Sequence, residues 1–298
     1  MQYLESFTLP DEDAEAGYVL SYPAKLEMSC YSATNTIYPF RLFPEKGLRS
    51  IECAPVTLFY GGNGSGKSTL LNIIAAKLEL SHRSPVNETP LFEDYLPLCR
   101  YRLSYGKKLP AKSRIITSDD VFDSLLEQRS INEHVNRQRE ELFAEYDSYT
   151  DPNAPCFRMH SLSDYDELKA RNEARSRSKN QYTEKRLAKN LRLASNGETA
   201  FRYFTQEISS DALYLLDEPE NSLSAALQKE LAAFLSDSAR FYGCQFLICT
   251  HSPFLLSLRE AVIYDLDAAP VERKKWTELE NIRTWYDLFR ERKNEFEP

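Results

Sequence analysis

Residues 61–68 read Gly-Gly-Asn-Gly-Ser-Gly-Lys-Ser and fit the pattern Gly-x4-Gly-Lys-Ser, which is typical of loops that bind nucleotide phosphates. The loop follows a predicted buried strand, Val56–Tyr60, and precedes a predicted helix, Thr69–Leu80. Its glycines let backbone N–H groups point at phosphate oxygens, and a helix N-terminus adds a favourable dipole. In such a loop Lys67 would reach the β- and γ-phosphates, and Ser68 would ligate Mg²⁺. An ordinary glycine turn is the alternative, but strand, loop, Lys-Ser pair and helix stand in the order that phosphate binding requires.

Two carboxylates follow a second apolar run. Asp217 and Glu218 come directly after Ala212–Leu216, which the pattern predicts as a buried strand. Asp217 at the strand end could hold Mg²⁺, and Glu218 could polarise an attacking water as a general base. Two acids before Pro219 could also simply cap a turn. Because a phosphate-binding loop precedes these acids in the sequence, the catalytic interpretation is favoured.

Two shorter segments could also contact phosphate. Ser195-Asn196-Gly197-Glu198 places an N-cap and an open glycine backbone at a predicted helix start, which makes either a second anion site or a plain helix cap. His251 follows the predicted strand Gln245–Thr250, where it could hydrogen-bond a γ-phosphate or cap its own loop. The position of the Ser195 segment ahead of the acidic pair favours the anion site.

In this order the segments resemble the ABC-type ATPases, with Walker A, signature loop, Walker B and adjacent glutamate, D-loop and switch histidine. Ser-Asn-Gly-Glu is similar to the chromosome-maintenance (SMC-like) and recombination-repair branch, since transporter ATPases usually have Gln where this chain has Glu198. Within that branch the chain resembles small stand-alone bacterial ATPases. The resemblance covers residues 38–80 and 193–298, and the segment between them matches weakly.

The resemblance implies that ATP and Mg²⁺ are held between two copies of the chain in a head-to-tail homodimer. Ser68 and Asp217 would bind the metal, Glu218 would activate water, and Lys67 and His251 would complete the catalytic set. The D-loop would be Asn221–Ser224. The nucleotide would contact Gly61, Gly62, Asn63, Gly64, Ser65, Gly66, Lys67, Ser68 and Thr69 of one subunit, and Ser195, Gly197 and Glu198 of the other.

Two parts of the family pattern are not settled by the sequence. Tyr38 or Phe40 would be the aromatic residue that stacks on adenine, but both fit equally well as core aromatics. No clear Q-loop glutamine is found: Asp119 occupies the approximate place, and Gln128 lies in the predicted helix that follows.

The elements that must position these residues alternate between strands and helices, which predicts an α/β fold with a mainly parallel core sheet. We expect the P-loop NTPase fold of an ABC-ATPase head, with an N-terminal antiparallel β portion. Residues 1–298 form a single domain in this interpretation, and residues 81–193 form an inserted, mostly helical subdomain. Further expected elements are short strands and loops over 1–37, strands Phe40–Phe43, Leu48–Cys53, Ile115–Thr117 and Ala261–Leu266, and helices Asp119–Tyr146, Asp164–Leu193, Glu198–Glu207 and Ser222–Ser238.

Composition limits the class of protein. Hydrophobic residues make up 42% of 298 residues, enough for a sizeable core, and the net charge of −8 excludes a globally basic nucleic-acid binder. No apolar run approaches the roughly 18 residues of a membrane span, and the N-terminus lacks a secretory pattern. We therefore expect a cytoplasmic protein without a membrane partner. The six scattered cysteines fit buried free thiols better than a redox or zinc site.

The expected insertion has two segments of opposite charge. Residues 171–192 carry a net charge of +6, and residues 119–147 carry −6. One interpretation is a nucleic-acid contact through 171–192. The other, slightly favoured, is a pair of helices that neutralise each other.

Together these features predict an ATPase, slow or regulated by a partner, that switches a separate effector in DNA repair or anti-phage defence. The effector would be a nuclease or toxin, because this chain shows no nuclease constellation of its own. The alternatives are the nucleotide-binding subunit of an ABC transporter and an ATP-stabilised, non-catalytic scaffold that restrains an effector.

Overall fold

The structure is a computed structural model that describes residues 1–21, 37–83, 91–152, 157, 165–187 and 195–296. Its central feature is a six-stranded sheet in which only the last strand runs antiparallel. Apolar residues fill both faces of the middle strands, as expected when helices cover a parallel sheet on each side. In spatial order the strands are β5 (Arg114–Ile116), β6 (Leu213–Asp217), β7 (Gln245–Cys249), β3 (Val56–Tyr60), β8 (Val262–Asp265) and β9 (Glu272–Arg273).

A separate three-stranded antiparallel sheet confirms the expected N-terminal β portion. Its order is β2 (Ser50–Glu52), β1 (Leu4–Thr8) and β4 (Arg100–Leu103). The buried side chain of Gln245, at the start of β7, binds this sheet: its Oε1 accepts the N–H groups of Tyr3 and Leu4 at 2.7 and 2.8 Å. Its Nε2 donates to the carbonyl of Leu4 at 2.8 Å. This one amide therefore satisfies three backbone groups at the start of β1, the middle strand of the second sheet.

The described chain divides into two compact units, residues 1–122 with 196–298, and residues 123–195. The first unit contains both sheets and the hydrophobic core. Helix α4 (Ser118–Thr150) begins in the first unit and continues into the second. The other helices of the first unit are α1 (Glu12–Ser21), α2 (Lys67–Lys77), α3 (Phe92–Tyr95), α7 (Asn196–Glu207), α8 (Ala225–Phe241), α9 (Pro253–Leu256), α10 (Glu280–Glu291) and α11 (Lys293–Phe296).

The second unit holds the rest of α4 together with α5 (Tyr165–Ser176) and α6 (Lys179–Glu184). A single helix over Asp164–Leu193 was expected, and that prediction is wrong. The chain breaks before Ser178, whose Oγ accepts the N–H of Gln181 and so caps a new helix. The residues of that prediction at 164 and 188–193 lie outside the described part of the chain.

The N-terminal third also departs from expectation. The strand predicted at Phe40–Phe43 is absent, and residues 38–47 form consecutive turns instead. The expectation of strands and loops over 1–37 missed α1, which begins where Asp11 Oδ1 accepts the N–H of Ala14, with acidic residues in the first turn. Residues 22–36 lie outside the described chain.

Strands β4 and β5 lie within the range expected to be inserted, 81–193, yet each pairs with a strand of the first unit. The separate second unit begins only at residue 123. The predicted insertion boundary at residue 81 therefore came too early. The remaining predicted strands and helices are confirmed in type, with ends shifted by a few residues.

The C-terminal segment exposes aromatic side chains. Trp276 lies in a short 3-10 turn, Trp276–Glu278, and Trp285, Tyr286 and Phe289 lie on α10. About half of each of these α10 side chains is exposed, and Trp285 stacks on Phe289 with ring centres 6.1 Å apart. The same segment is anchored by Leu279 and Ile282, which are buried.

Cys53, Cys99, Cys244 and Cys249 are buried free thiols, as predicted, and Cys30 and Cys156 lie outside the described residues. Burial raises the pKa of Cys53 and of Cys99 to about 12, so both stay protonated at neutral pH. Among the described residues, no helix combines the length and hydropathy needed to cross a bilayer.

Candidate nucleotide site

The glycine-rich loop joins the carboxyl end of β3 to α2, as the sequence predicts. Gly64 and Gly66 have φ angles of 80° and 95°, a region that glycine enters at little cost. A Cβ on Gly61 would lie 2.5 Å from Ser65 Oγ, so no other residue fits at this position without movement. The loop therefore needs its glycines at these positions for backbone and packing reasons.

Lys67 opens α2 and is buried, with 5% of its side chain exposed. Its ammonium donates to the carbonyls of Gly61 and Gly62 at 2.7 and 2.9 Å. Glu218 Oε1 lies 3.7 Å from the same nitrogen. The loop lysine and the acidic pair after β6 therefore belong to one site.

Asp217 ends β6, two strands away from the loop strand β3. Burial raises its pKa to about 6, and the neighbouring charge of Glu218 adds to the rise, while a hydrogen bond with Ser68 and the charge of Lys67 oppose it. Oδ1 of Asp217 is buried without a hydrogen-bond partner among the described residues. An unpartnered carboxylate oxygen beside a serine hydroxyl is a donor set that suits Mg²⁺.

Glu218 adopts a φ of 46° directly after the strand, and its N–H donates to the carbonyl of Cys249. Its carboxylate lies between several partners: Oε2 accepts from Asn221 Nδ2 at 3.1 Å, and Oε1 is 3.9 Å from His251 Nδ1. The side chain is 24% exposed. A carboxylate with access to water between a lysine and a histidine is placed to act on a water beside a bound phosphate.

Glu220 is a site residue that the motifs in the sequence do not reveal. It is 4% exposed, and its Oε1 accepts the hydroxyl of Thr250 at 2.6 Å and the N–H groups of His251 and Ser252 at 2.8 and 3.1 Å. This single oxygen thus fixes the backbone that carries His251. The available signal was a third acid, directly after Asp217-Glu218-Pro219, but its partners lie some thirty residues away.

The predicted signature segment lies at the start of α7, with Ser195 and Glu198 exposed. A Cβ on Gly197 would come within 3.1 Å of the carbonyl of Ser222 and of Leu227 Cδ1. The signature glycine therefore packs closely on the predicted D-loop, Asn221–Ser224. Residues 193 and 194, which precede the segment, are outside the described chain.

The structure separates the two candidates for adenine stacking. Phe40 is buried, stacks on Tyr18 and meets Tyr95 edge-on, so it is a core aromatic. Tyr38 is half-buried, and its hydroxyl donates to Thr69 Oγ1 at 2.9 Å, next to the loop. Asp119 and Gln128 both lie on α4.

Asp267 is a second residue that the sequence reasoning missed. Its Oδ2 accepts the N–H of Gly62 at 2.7 Å, and its own N–H donates to Asp265 Oδ1 at 3.0 Å. The end of β8 thus supports the first turn of the glycine-rich loop.

Residues 112–257 match the family described as "AAA domain, putative AbiEii toxin, Type IV TA system". The match contains the acidic pair, the signature segment and His251, and the glycine-rich loop that precedes it supplies the Lys67 contact to Glu218. This matched stretch, just under half of the chain, is similar to an AAA domain. The fold is α/β, with a mainly parallel core sheet and a small antiparallel sheet.

Solved structures that resemble this chain are distant in sequence. An Smc head domain with an extended coiled coil, bound to the C-terminal domain of ScpA derived from Pyrococcus furiosus, is 14% identical; the match covers 97% of this chain and all of that one, with a TM-score of 0.43. The SMC head domain from Thermotoga maritima is 15% identical over 92% of this chain and 99% of that one, with a TM-score of 0.36. No curated protein matches this sequence.

Proposed function

We propose that this chain hydrolyses ATP and that two copies close head-to-tail around the nucleotide. The observation that carries the proposal is the meeting of Lys67, Asp217 and Glu218 at the carboxyl ends of β3 and β6. Lys67 Nζ lies 3.7 Å from Glu218 Oε1, and the side chain of Ser68 is a hydrogen-bond partner of the Asp217 carboxylate. Functional groups from two distant segments of the sequence thus share one site.

In the proposed reaction, the N–H groups of the loop and the Lys67 ammonium bind the β- and γ-phosphates. Ser68 and Asp217 would hold Mg²⁺, which when bound neutralises charge on the phosphate oxygens. Glu218 takes a proton from the attacking water, and His251 hydrogen-bonds the γ-phosphate. Glu220 holds the backbone of His251 in place for that contact.

The proposed dimer brings Ser195, Gly197 and Glu198 of one subunit to Gly61–Thr69 of the other. Exposure of Ser195 and Glu198 supports a contact outside the subunit that carries them. Packing of Gly197 on Ser222 gives the signature segment a direct connection to the D-loop, which in the proposed dimer would link the two sites.

We further propose that the whole chain acts as one cytoplasmic ATPase domain and switches a separate nuclease or toxin in phage defence or DNA repair. The family description names a toxin of a toxin–antitoxin system, which supports defence. A nucleic-acid contact through 171–192 gains little support, since Glu173 alone pairs with Arg177, Lys185 and Arg186, and Asp147 pairs with Lys179.

Phosphate release from ATP tests the catalytic part of this proposal. Wild type should hydrolyse ATP, Lys67→Ala should lose nucleotide binding, and Glu218→Gln should bind ATP but hydrolyse it at least about a hundredfold more slowly. Lys229→Ala and Glu230→Gln, on the exposed face of α8, are matched controls that should behave as wild type. Ordinary turnover by Glu218→Gln would overturn the assigned base.

The mass of the protein in solution tests the dimer separately. Glu218→Gln should shift from monomer to dimer on light scattering when ATP and Mg²⁺ are added. Adding Ser195→Arg to that variant should keep it monomeric, because the bulky cation would stand in the proposed contact. An unchanged ATP-dependent dimer would show that Ser195 does not face the partner.

A further inference from the structure

Residues 100–114 carry basic charge that no ATPase motif uses. Between Tyr95 and Ser118 the sequence holds six basic residues and no acidic residue, in a chain of net charge −8. The six are Arg100, Arg102, Lys107, Lys108, Lys112 and Arg114. Such a local excess in an acidic protein indicates an anionic partner.

Most of this charge is not compensated by neighbours. Arg102 has Glu5 at 2.9 Å and Glu52 at 4.0 Å, and Arg114 pairs with Glu207. The other four, Arg100, Lys107, Lys108 and Lys112, are exposed and have no carboxylate oxygen of the described residues within 4 Å. This surface differs from the helical segment 171–187, whose basic side chains mostly form ion pairs with carboxylates.

The loop that presents two of these lysines is well anchored. It follows the edge strand β4, and the N–H of Ser104 donates to the carbonyl of Tyr3 at 2.8 Å. Leu103 and Leu109, at its two ends, pack against the hydrophobic core. Between them Gly106, with a φ of 69°, lets the chain turn, and the N–H of Lys107 closes the turn on Ser104.

Tyr105 stands at the tip of this turn with its side chain fully exposed. Nearby on β4, Tyr101 is 44% exposed. A tyrosine in full contact with water contributes nothing to the core, and beside Lys107 and Lys108 it presents an aromatic face next to two cations. Basic residues that follow a phosphate backbone, interspersed with rings on which bases stack, are typical of surfaces that bind single strands.

We propose that Arg100–Lys112 binds single-stranded nucleic acid, with the basic side chains on phosphates and Tyr105 stacked on an unpaired base. A duplex would offer phosphates but no free base face to the ring. The proposal does not depend on ATP hydrolysis or on the dimer.

Fluorescence anisotropy of labelled oligo(dT) and oligo(rU), without nucleotide and over a range of salt concentrations, tests this surface in the full chain. Tyr105→Ala should weaken binding by about tenfold or more, and Tyr105→Phe should restore it, since stacking needs only the ring. Lys107→Gln with Lys108→Gln should lower the slope of log K against log salt by about 1.4, as two lost phosphate contacts require. These side chains are exposed, so the variants should keep the thermal stability of wild type.

Arg175→Gln with Lys185→Gln, in the second unit, is the matched control and should bind as wild type. The proposal is overturned if wild type binds neither oligonucleotide at low salt, or if the control pair rather than the loop variants weakens binding. Equal loss of duplex and single-strand binding with no effect of Tyr105→Ala would also overturn it. So would binding to anionic phospholipid vesicles in place of oligonucleotides.

Discussion

Thr250 donates its hydroxyl hydrogen to Oε1 of Glu220 over 2.6 Å, and both residues are buried. The same oxygen accepts the N–H groups of His251 and Ser252. Hydrogen bonds to an ionised carboxylate are among the stronger ones in proteins. The end of β7 is therefore held by Glu220, three residues after the end of β6, and His251 takes its position from this contact.

Glu220→Ala should destabilise the protein and slow hydrolysis together. Three donors, two of them in the buried residues Thr250 and Ser252, lose their acceptor, which should cost about 2–4 kcal/mol of unfolding free energy. Glu220→Gln keeps an amide oxygen as acceptor and should retain most of the stability. Chemical denaturation followed by far-UV circular dichroism gives the first quantity, and phosphate release gives the second. Equal behaviour of both variants and wild type would show that the backbone of His251 is held by other groups.

Asp217→Asn should stabilise the protein at neutral pH. Burial raises the pKa of Asp217 to about 6, above its ordinary value of 3.8. The folded state therefore binds this proton more tightly than the unfolded state does. The stability that results is fully present below pH 3.8 and is lost as the pH rises through about 6. At about pH 7.5 the charged form costs on the order of 2–3 kcal/mol, which asparagine avoids.

The advantage of Asp217→Asn should shrink as the pH is lowered to about 4.5, where the wild-type carboxyl in the folded state is mostly protonated. Urea denaturation at the two pH values measures it. Asp119→Asn, at the exposed start of α4, serves as control and should show neither the gain nor its pH dependence. A gain that is equal at both pH values would rule out this carboxyl as the cause.

Gly61→Ala and Gly62→Ala should differ although the two positions are adjacent. A Cβ on Gly61 would lie 2.5 Å from Ser65 Oγ, whereas a Cβ on Gly62 has nothing closer than Asp267 Oδ2 at 3.7 Å. The first substitution should distort the loop and weaken ATP binding by about tenfold or more. The second should leave affinity within a factor of a few. Calorimetric titration with ATP and Mg²⁺ would detect the difference, and similar affinities in both variants would contradict it.

Gln245→Leu should lower the stability of the protein without changing any residue of the nucleotide site. The N–H groups of Tyr3 and Leu4 would lose the shared Oε1 and stay buried without an acceptor. We expect a loss of about 2–4 kcal/mol, and faster hydrogen exchange at Leu4 than at Leu58 of β3. Gln228→Leu, which removes a half-buried amide on α8, is the comparison and should cost less. Equal losses of unfolding free energy in the two variants would show that the Gln245 contact between the sheets stabilises the protein no more than an ordinary half-buried amide.

The parts of the molecule that the sequence predicts well are those determined locally. Val56–Tyr60 is a strand with the expected ends, because an uninterrupted run of β-forming apolar residues meets a glycine loop that no helix could continue through. Helix α2 follows it for the same local reason.

The missed features depend on partners that are distant in the sequence. Phe40 was expected in a strand, but its ring is packed between Tyr18 and Tyr95, and the backbone follows turns that serve this packing. The roles of Glu220 and Asp267 rest on residues about 30 and 205 positions away. Hydrophobic patterning and local secondary-structure propensity contain no information about such long-range pairings.

Both tryptophans of the chain, Trp276 and Trp285, lie in the C-terminal segment and are 40% and 49% exposed. Intrinsic tryptophan emission therefore reports the solvent environment of that end of the polypeptide. A fluorescence-monitored melt would register loosening of α10 and pass over events at the glycine-rich loop. A tryptophan introduced at Tyr38, beside Thr69, would give the nucleotide site an optical signal of its own.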